Sequence, residues 1–256
     1  MKKRPAALIT GATRGIGKAI ADTFASEGYN LILTCKSRRD LLDDQIDQYK
    51  KTGVSCAGYL CDVQSFKDVT SLYEKASAEI GQPDVIINNA GISHIGLLTD
   101  MSPEEWNAVI GTNLTGIFNV CRIFTPDMIR RQNGCIINIS SVWGSAGASC
   151  EVAYSASKGG VNSFTKALAK ELAPSHVRVN AIAFGAIDTE MNHFLSEDER
   201  QSLIDEIPAC RMGTPKEAAR LVWMTANAPE YLTGQIITMD GGWILNMSHC
   251  LLLRAV

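Results

Sequence analysis

The sequence has no run of about 18 apolar residues, so no helix in it is expected to span a bilayer. Its 24 Lys and Arg nearly balance 27 Asp and Glu, for a net charge of −3. There is thus no cationic excess to meet a nucleic-acid backbone, and no charged block of the kind that keeps a tail disordered. Only four histidines occur, none in a His-x-x-x-His pair, so no metal site is expected. The cysteines, at 35, 56, 61, 121, 135, 150, 210 and 250, form no Cys-x-x-Cys. In a chain of 256 residues they read as small packing residues of a reducing compartment, not a disulfide framework. A signal peptide is not expected either. The apolar run Pro5–Ile9 behind Lys2–Arg4 is too short, and Gly11 and Arg14 prevent its extension. A cytoplasmic protein without membrane or nucleic-acid partners is the expectation.

What is present is a 46% hydrophobic chain whose short apolar runs alternate with longer helical patterns. The runs Ala6–Thr10, Leu31–Thr34, Ser55–Leu60, Val85–Asn88, Cys135–Ser140, Val177–Ile182 and Ile236–Met239 predict strands. Most are continuously apolar, as strands buried on both faces of a parallel sheet must be. Ile16, Ile20 and Phe24 share one helical face, with Gly28 as the stop signal. Helices are also predicted over Asp40–Lys51, Phe66–Ile80, Pro103–Arg131 (interrupted at Pro126), Ala153–Leu172 and Pro215–Ala226. This alternation predicts one α/β domain, a Rossmann-like, doubly wound, parallel, seven-stranded sheet, with a C-terminal tail at 244–256. Ligands of such a sheet sit at the carboxyl ends of the strands, where the strand order reverses.

The first strand enters Thr10-Gly11-Ala12-Thr13-Arg14-Gly15-Ile16-Gly17 and then a helix. Glycines let the backbone turn tightly and approach a pyrophosphate, and the helix start offers free N–H groups. Glycine clusters also serve ordinary turns, but the strand–loop–helix setting at the first crossover favours a dinucleotide. An NAD site usually carries an acid at the end of the second strand; here Cys35-Lys36-Ser37-Arg38-Arg39 has none. Cations suit a ribose 2′-phosphate, so NADP(H) is the expected cofactor, held by Lys36 and Arg14 and less by Arg38.

Tyr154 and Lys158 are four apart on a predicted helix and share a face. A nearby ammonium favours the phenolate and so makes tyrosine a usable acid–base group. Ser141 follows the fifth predicted strand, where a hydroxyl can reach a substrate carbonyl beside the tyrosine. Taken together, Thr10-Gly11-x-x-x-Gly15-x-Gly17, Asn88-Asn89-Ala90-Gly91, Asn113, Ser141 and Tyr154-x-x-x-Lys158 resemble the short-chain dehydrogenase/reductase family across nearly the whole chain. The resemblance implies that Tyr154 donates a proton to the carbonyl oxygen as hydride arrives from nicotinamide, with Ser141 orienting that oxygen. Lys158 would lower the tyrosine and bind the nicotinamide ribose, and Asn113, at a helix kink, would hold a water leading from Lys158 to solvent. The implied cofactor contacts are Gly11, Thr13, Arg14, Gly15, Ile16 and Gly17 in the first loop, Lys36, and Asp62 with Val63 at the adenine. Asn89, Ala90 and Gly91 would shape the pocket, and Tyr154, Lys158, Gly185, Ile187 and Thr189 would meet the nicotinamide end. Where the family usually has Pro-Gly after the sixth strand, this chain has Phe184-Gly185. Proline presets the chain's path, so a less preorganised cofactor pocket is expected, with a ring added near the cofactor.

The chain is broadly similar to 3-oxoacyl-(acyl carrier protein) reductases. Their Thr-Arg-Asp after Asn-Asn-Ala-Gly-Ile is replaced by Ser93-His94-Ile95, which removes an arginine suited to an acidic carrier. The substrate region, Ser93–Leu97 and Ser141–Val152, resembles the elongation factor P 5-aminopentanone reductases. His94, Trp143 and Glu151 are therefore candidate pocket residues, and Glu151 would suit an amine-bearing ketone and disfavour an anionic carrier. The plainer roles are service to the helix start for Glu151, a pocket wall for His94 and core packing for Trp143. The expected substrate is a small-molecule ketone or one attached to a carrier or protein. An NADP-dependent hydroxysteroid or alcohol dehydrogenase, and a non-catalytic NADP-binding regulator, are the alternatives. Family likeness implies a homotetramer or homodimer, and the apolar tail past Trp243 is expected at an interface or over the substrate.

Overall fold

Why this chain makes a parallel sheet is visible in its strands, whose successive residues are buried on opposite faces. The computed structural model describes residues 4–192 and 195–244. In chain order the elements are β1 Ala6–Ile9, α1 Gly15–Ser26, β2 Asn30–Cys35, α2 Arg39–Lys51, β3 Cys56–Leu60, α3 Phe66–Glu79 and β4 Val85–Asn88. They continue with α4 Pro103–Ile110, α5 Gly116–Arg131, β5 Gly134–Ser141, α6 Trp143–Ala146, α7 Val152–Leu172, β6 Val177–Phe184, α8 Glu197–Glu206, α9 Pro215–Ala226 and β7 Ile236–Met239. All seven strands pair in parallel in the order β3-β2-β1-β4-β5-β6-β7.

Ile9, Leu33, Ile87 and Ile137 face one layer, with Ile20 and Phe24 of α1, Leu42 and Ile46 of α2, and Val222 of α9. Their neighbours Leu8, Ile32, Ile86 and Ile136 face the other layer, with Leu72 of α3, Phe124 and Met128 of α5, and Val161 of α7. Two helical layers thus cover a sheet that has no polar face, the arrangement that makes strands read as unbroken apolar runs. Strand order reverses between β1 and β4, and the cleft between their carboxyl ends is where a doubly wound sheet presents its site.

The predicted helix over Pro103–Arg131 is broken, but not at proline. Pro126 lies inside α5, which runs on to Arg131. One lost hydrogen bond there is offset by burying Val120, Phe124 and Met128 against the sheet. The break is a π-helical turn, Gly111–Thr115. A Cβ on Gly111 would meet Gln64 Oε1 at 2.3 Å, and one on Gly116 would meet Val63 Cγ2 at 2.6 Å, so these glycines let the loop after β3 close on the turn. Helix α8 was not expected. Its signal is a capping box, Ser196 with Glu199, and none of its residues is buried, so it lacks the apolar periodicity that marks a helix in sequence. The predicted tail beyond Ile244 lies outside the described residues.

Candidate active site

The turn after β1 is shaped by contacts that leave no room for side chains. A Cβ on Gly17 would stand 2.1 Å from the Gly11 carbonyl oxygen and 2.5 Å from Asn89 Nδ2. Gly11 and Gly15 have φ of 64° and 52°, the left-handed region. Asn89 Nδ2 donates to the carbonyls of Thr10 and Gly11, both at 2.9 Å. The Thr10 hydroxyl accepts from the amides of Asn89 and Ala90, both at 3.0 Å. The ends of β1 and β4 are thereby tied together, which is the part Asn89 and Ala90 play; Thr10 is a site residue that sequence reading used only as a motif letter. Asn88 lies deeper, donating to Asn138 Oδ1 at 2.9 Å inside the core. Arg14 caps α1 without a side-chain bond, and no acid stands in the first turn. Free N–H groups at a helix start, in a cradle whose glycines a Cβ would fill, fit the diphosphate of a dinucleotide.

At the end of β2, Lys36 Nζ pairs with Asp62 Oδ2 at 2.8 Å. Burial pushes the Asp62 carboxyl up, but Lys36 and the Gln64 amide outweigh it and hold the carboxyl below its ordinary value. Arg14, Lys36 and Arg38 are all exposed, the first paired with Glu190 and the last with Asp40. Val63, buried beside Asp62, packs in the core.

Ser141 ends β5, and Tyr154 and Lys158 lie on α7. Lys158 is 4% exposed; its Nζ donates to the Ile139 carbonyl at 2.8 Å and stands 5.5 Å from the centre of the Tyr154 ring. Burial pulls this lysine down to about 8. Burial pushes the half-buried Tyr154 up to about 12; the Ser141 hydroxyl lowers it and the Glu151 carboxylate raises it. The expected lowering by Lys158 is not what sets this balance, because the ammonium is turned to Ile139. Asn113 sits in the π-helical turn and is fully buried. It accepts from the Ile92 amide at 2.9 Å and donates to the Ile92 carbonyl at 2.9 Å and to Ser157 Oγ at 3.0 Å. A Cβ on Gly91 would lie 3.3 Å from Asn113 Oδ1 and 3.6 Å from Lys158 Nζ, so Gly91, Asn113 and Lys158 converge. Ser157 and the Ile139 carbonyl were not foreseen; a serine inside a helix and a main-chain oxygen leave no sequence signal.

Glu151 precedes α7 but makes no cap bond, which excludes service to the helix start through a capping hydrogen bond. Its Oε2 instead accepts from Ser93 Oγ at 2.6 Å. His94 turns to α4, with Nδ1 3.7 Å from Glu105 Oε1. Trp143 is half-exposed, not a core residue, and its amide donates to Ser141 Oγ at 3.2 Å. Its ring meets that of Trp243 edge-on, with centres 4.8 Å apart, and Trp243 Nε1 donates to Glu206 of α8 at 3.3 Å. Trp243 is a second unforeseen neighbour, brought in from the far end of the chain. The expected ring of Phe184 beside the cofactor is corrected: it is buried in the core with Ile139, Ile182 and Ile187. Gly185 packs on Asp240, and Gly15 on the Thr189 side chain, so the loop after β6 closes over the phosphate turn.

The buried thiols are inert at neutral pH, since burial pushes Cys56, Cys61 and Cys121 up to about 12. Among the described residues no cluster of metal-ligating side chains occurs, and no helix is long and apolar enough to cross a membrane.

The short chain dehydrogenase family model matches residues 5–200. The uncharacterized oxidoreductase YmfI of Bacillus subtilis is 39% identical over 95% of this chain and 98% of its own length. The 3-oxoacyl-[acyl-carrier-protein] reductase FabG of Chlamydia muridarum is 40% identical over 93% of this chain and 96% of its own. A solved structure of a candidate gluconate dehydrogenase from Agrobacterium tumefaciens superposes with a TM-score of 0.89 at 30% identity, covering 93% of this chain and 95% of that one. With the dinucleotide cradle and the convergence of Ser141, Tyr154, Lys158 and Asn113, these likenesses make the chain a member of the short-chain dehydrogenase family, an oxidoreductase that works on the CH–OH/C=O pair with a nicotinamide cofactor.

Proposed function

We propose that the chain is an NADPH-dependent ketone reductase, similar in reaction to the 3-oxoacyl-(acyl carrier protein) reductases, with Tyr154 as proton donor. The observation that carries this is a convergence: Ser141 at the end of β5, Tyr154 in the first turn of α7, and the buried Lys158 one turn on, its Nζ 5.5 Å from the centre of the tyrosine ring. Two hydroxyls side by side can polarise and protonate one carbonyl oxygen. When bound, the nicotinamide would supply hydride to the carbonyl carbon. Ser141 donates to the carbonyl oxygen, Tyr154 transfers its proton to that oxygen, and an alcohol results. Lys158 then returns a proton to Tyr154. Both Asn113 Nδ2 hydrogens are already engaged, so Asn113 would hold the water that relays protons onward through an acceptor oxygen. Lys36 and Arg14 would be the cations for a 2′-phosphate, Asp62 and Val63 would meet the adenine, and Gly185, Ile187 and Thr189 the nicotinamide. His94, Trp143 and Glu151 line the substrate mouth. A cytoplasmic homotetramer, or homodimer, is the expected assembly.

Glu151 favours a second reading of the substrate. A carboxylate at the mouth suits a ketone that carries an amine, as on a modified lysine of elongation factor P, over an anionic carrier. NADPH oxidation with acetoacetyl thioesters and with aminopentanone-modified elongation factor P, side by side, separates the two. Tyr154→Phe should lower turnover by about 10²–10⁴-fold and keep NADPH binding. Unchanged turnover would refute the proposal, and unchanged biological activity of a dead variant would favour a regulator.

A further inference from the structure

The loop after β4 and the start of α7 are joined across the mouth of the site by two hydrogen bonds. Ser93 Oγ donates to Glu151 Oε2 at 2.6 Å, and the Gly96 amide donates to the Cys150 carbonyl at 2.8 Å. Cys150 holds a φ of 62°, a left-handed conformation that is unfavourable for a non-glycine residue. Such strain persists where the surroundings fix it, and the two bonds, one to the carbonyl of Cys150 itself and one to the next residue, do so here. Glu151 could have capped α7, as Ser196 caps α8 and Thr214 caps α9, but its carboxylate is spent on Ser93 instead. Three residues on, in the first turn of the same helix, stands Tyr154.

We infer that Glu151 is a positioning residue for the reaction: through Ser93 it straps the substrate loop to the first turn of α7, and its negative charge there favours the neutral phenol of Tyr154 over the phenolate. The inference rests on the reading of Tyr154 as the donor. The charged and titratable groups around the tyrosine are few. Lys158 lies on its own helix, directed to Ile139; His94, from the loop after β4, is paired with Glu105 of α4. Among the described residues Glu151 is the carboxylate whose field reaches the Tyr154 hydroxyl, and it acts with burial to disfavour the phenolate. The strap therefore does two separable things, one by contact and one by charge.

The test uses the full chain and two variants. Glu151→Gln keeps an acceptor for Ser93 and removes the charge. Ser93→Ala keeps the charge and removes the contact. The phenolate absorbance of Tyr154 is read from pH 10 to 12 as the difference between each protein and its Tyr154→Phe counterpart, and exchange of the Gly96 amide is followed by NMR. In Glu151→Gln the phenolate fraction at a given pH should rise about threefold to tenfold, a shift of about half a unit to one unit, with Gly96 exchange within twofold of the parent. In Ser93→Ala the titration should stay near the parent while Gly96 exchanges about tenfold faster. Coincident titration of Glu151→Gln and the parent overturns the role of charge, as does an equal shift in both variants. Unchanged Gly96 exchange in Ser93→Ala overturns the strap. Both readouts are free of turnover, so a Tyr154→Phe protein that still reduces ketones would refute the donor reading without bearing on them.

Discussion

Replacing Gly17 by alanine tests whether the phosphate turn is held by contact or by backbone freedom. Gly17 lies in the first turn of α1, and the added Cβ would sit 2.1 Å from the Gly11 oxygen and 2.5 Å from Asn89 Nδ2. Neither can yield cheaply, because Asn89 is bonded to both Thr10 and Gly11 at 2.9 Å. Losing those two bonds costs about 2 kcal/mol, and forcing the backbone apart about 1–3 kcal/mol more. At about 2–4 °C per kcal/mol for a chain of this size, the melting temperature should fall by about 10 °C. NADPH affinity should fall at least tenfold, since the moved carbonyl and amides line the diphosphate cradle. Gly28→Ala is the control. Gly28 has φ 85° but nothing within 4 Å of a Cβ, so only the left-handed penalty of about 1–2 kcal/mol applies and NADPH binding should be unchanged. Scanning calorimetry and fluorescence titration of NADPH read both effects. If Gly17→Ala melts within 2 °C of the parent, or if Gly28→Ala costs as much, the steric argument fails.

Lys158→Met should abolish turnover yet stabilise the fold. Burial lowers the lysine from 10.5 to about 8, so its charge costs about 3 kcal/mol below pH 8, less about 1 kcal/mol for the bond to Ile139. Between pH 8 and 10.5 the unfolded lysine holds a proton that the folded one has lost, and parent stability rises with pH. The variant's advantage in urea midpoint at pH 7 should therefore shrink by pH 9.5, and an advantage independent of pH would refute the assignment. Phe184→Pro should lose about 3 kcal/mol in urea unfolding because it empties a core position, without weakening NADPH binding; weaker binding would contradict the idea that proline presets this loop. Lys36→Ala should raise the KM for NADPH about tenfold and leave that for NADH within twofold, and equal effects on both would remove Lys36 from the 2′-phosphate.

The sequence by itself determined the layered sheet, because Leu8 and Ile9, or Ile86 and Ile87, must both be buried and only a parallel sheet covered on two faces buries neighbours alike. It also determined the residues that meet at the strand ends, since Tyr154 and Lys158 share a helical face and Ser141 closes an apolar run. The family resemblance put a kink at Asn113, and the tertiary structure supplied its cause: Gly111 and Gly116 yield to the approach of Gln64 and Val63, contacts from a distant part of the chain that no local pattern records. The tertiary structure decided that Lys158 turns to Ile139, that Trp243 reaches Trp143, and that Phe184 belongs to the core. Above all it gave Glu151 its partner, because a carboxylate before a helix reads locally as a cap, and only the fold brings Ser93 close enough to take it.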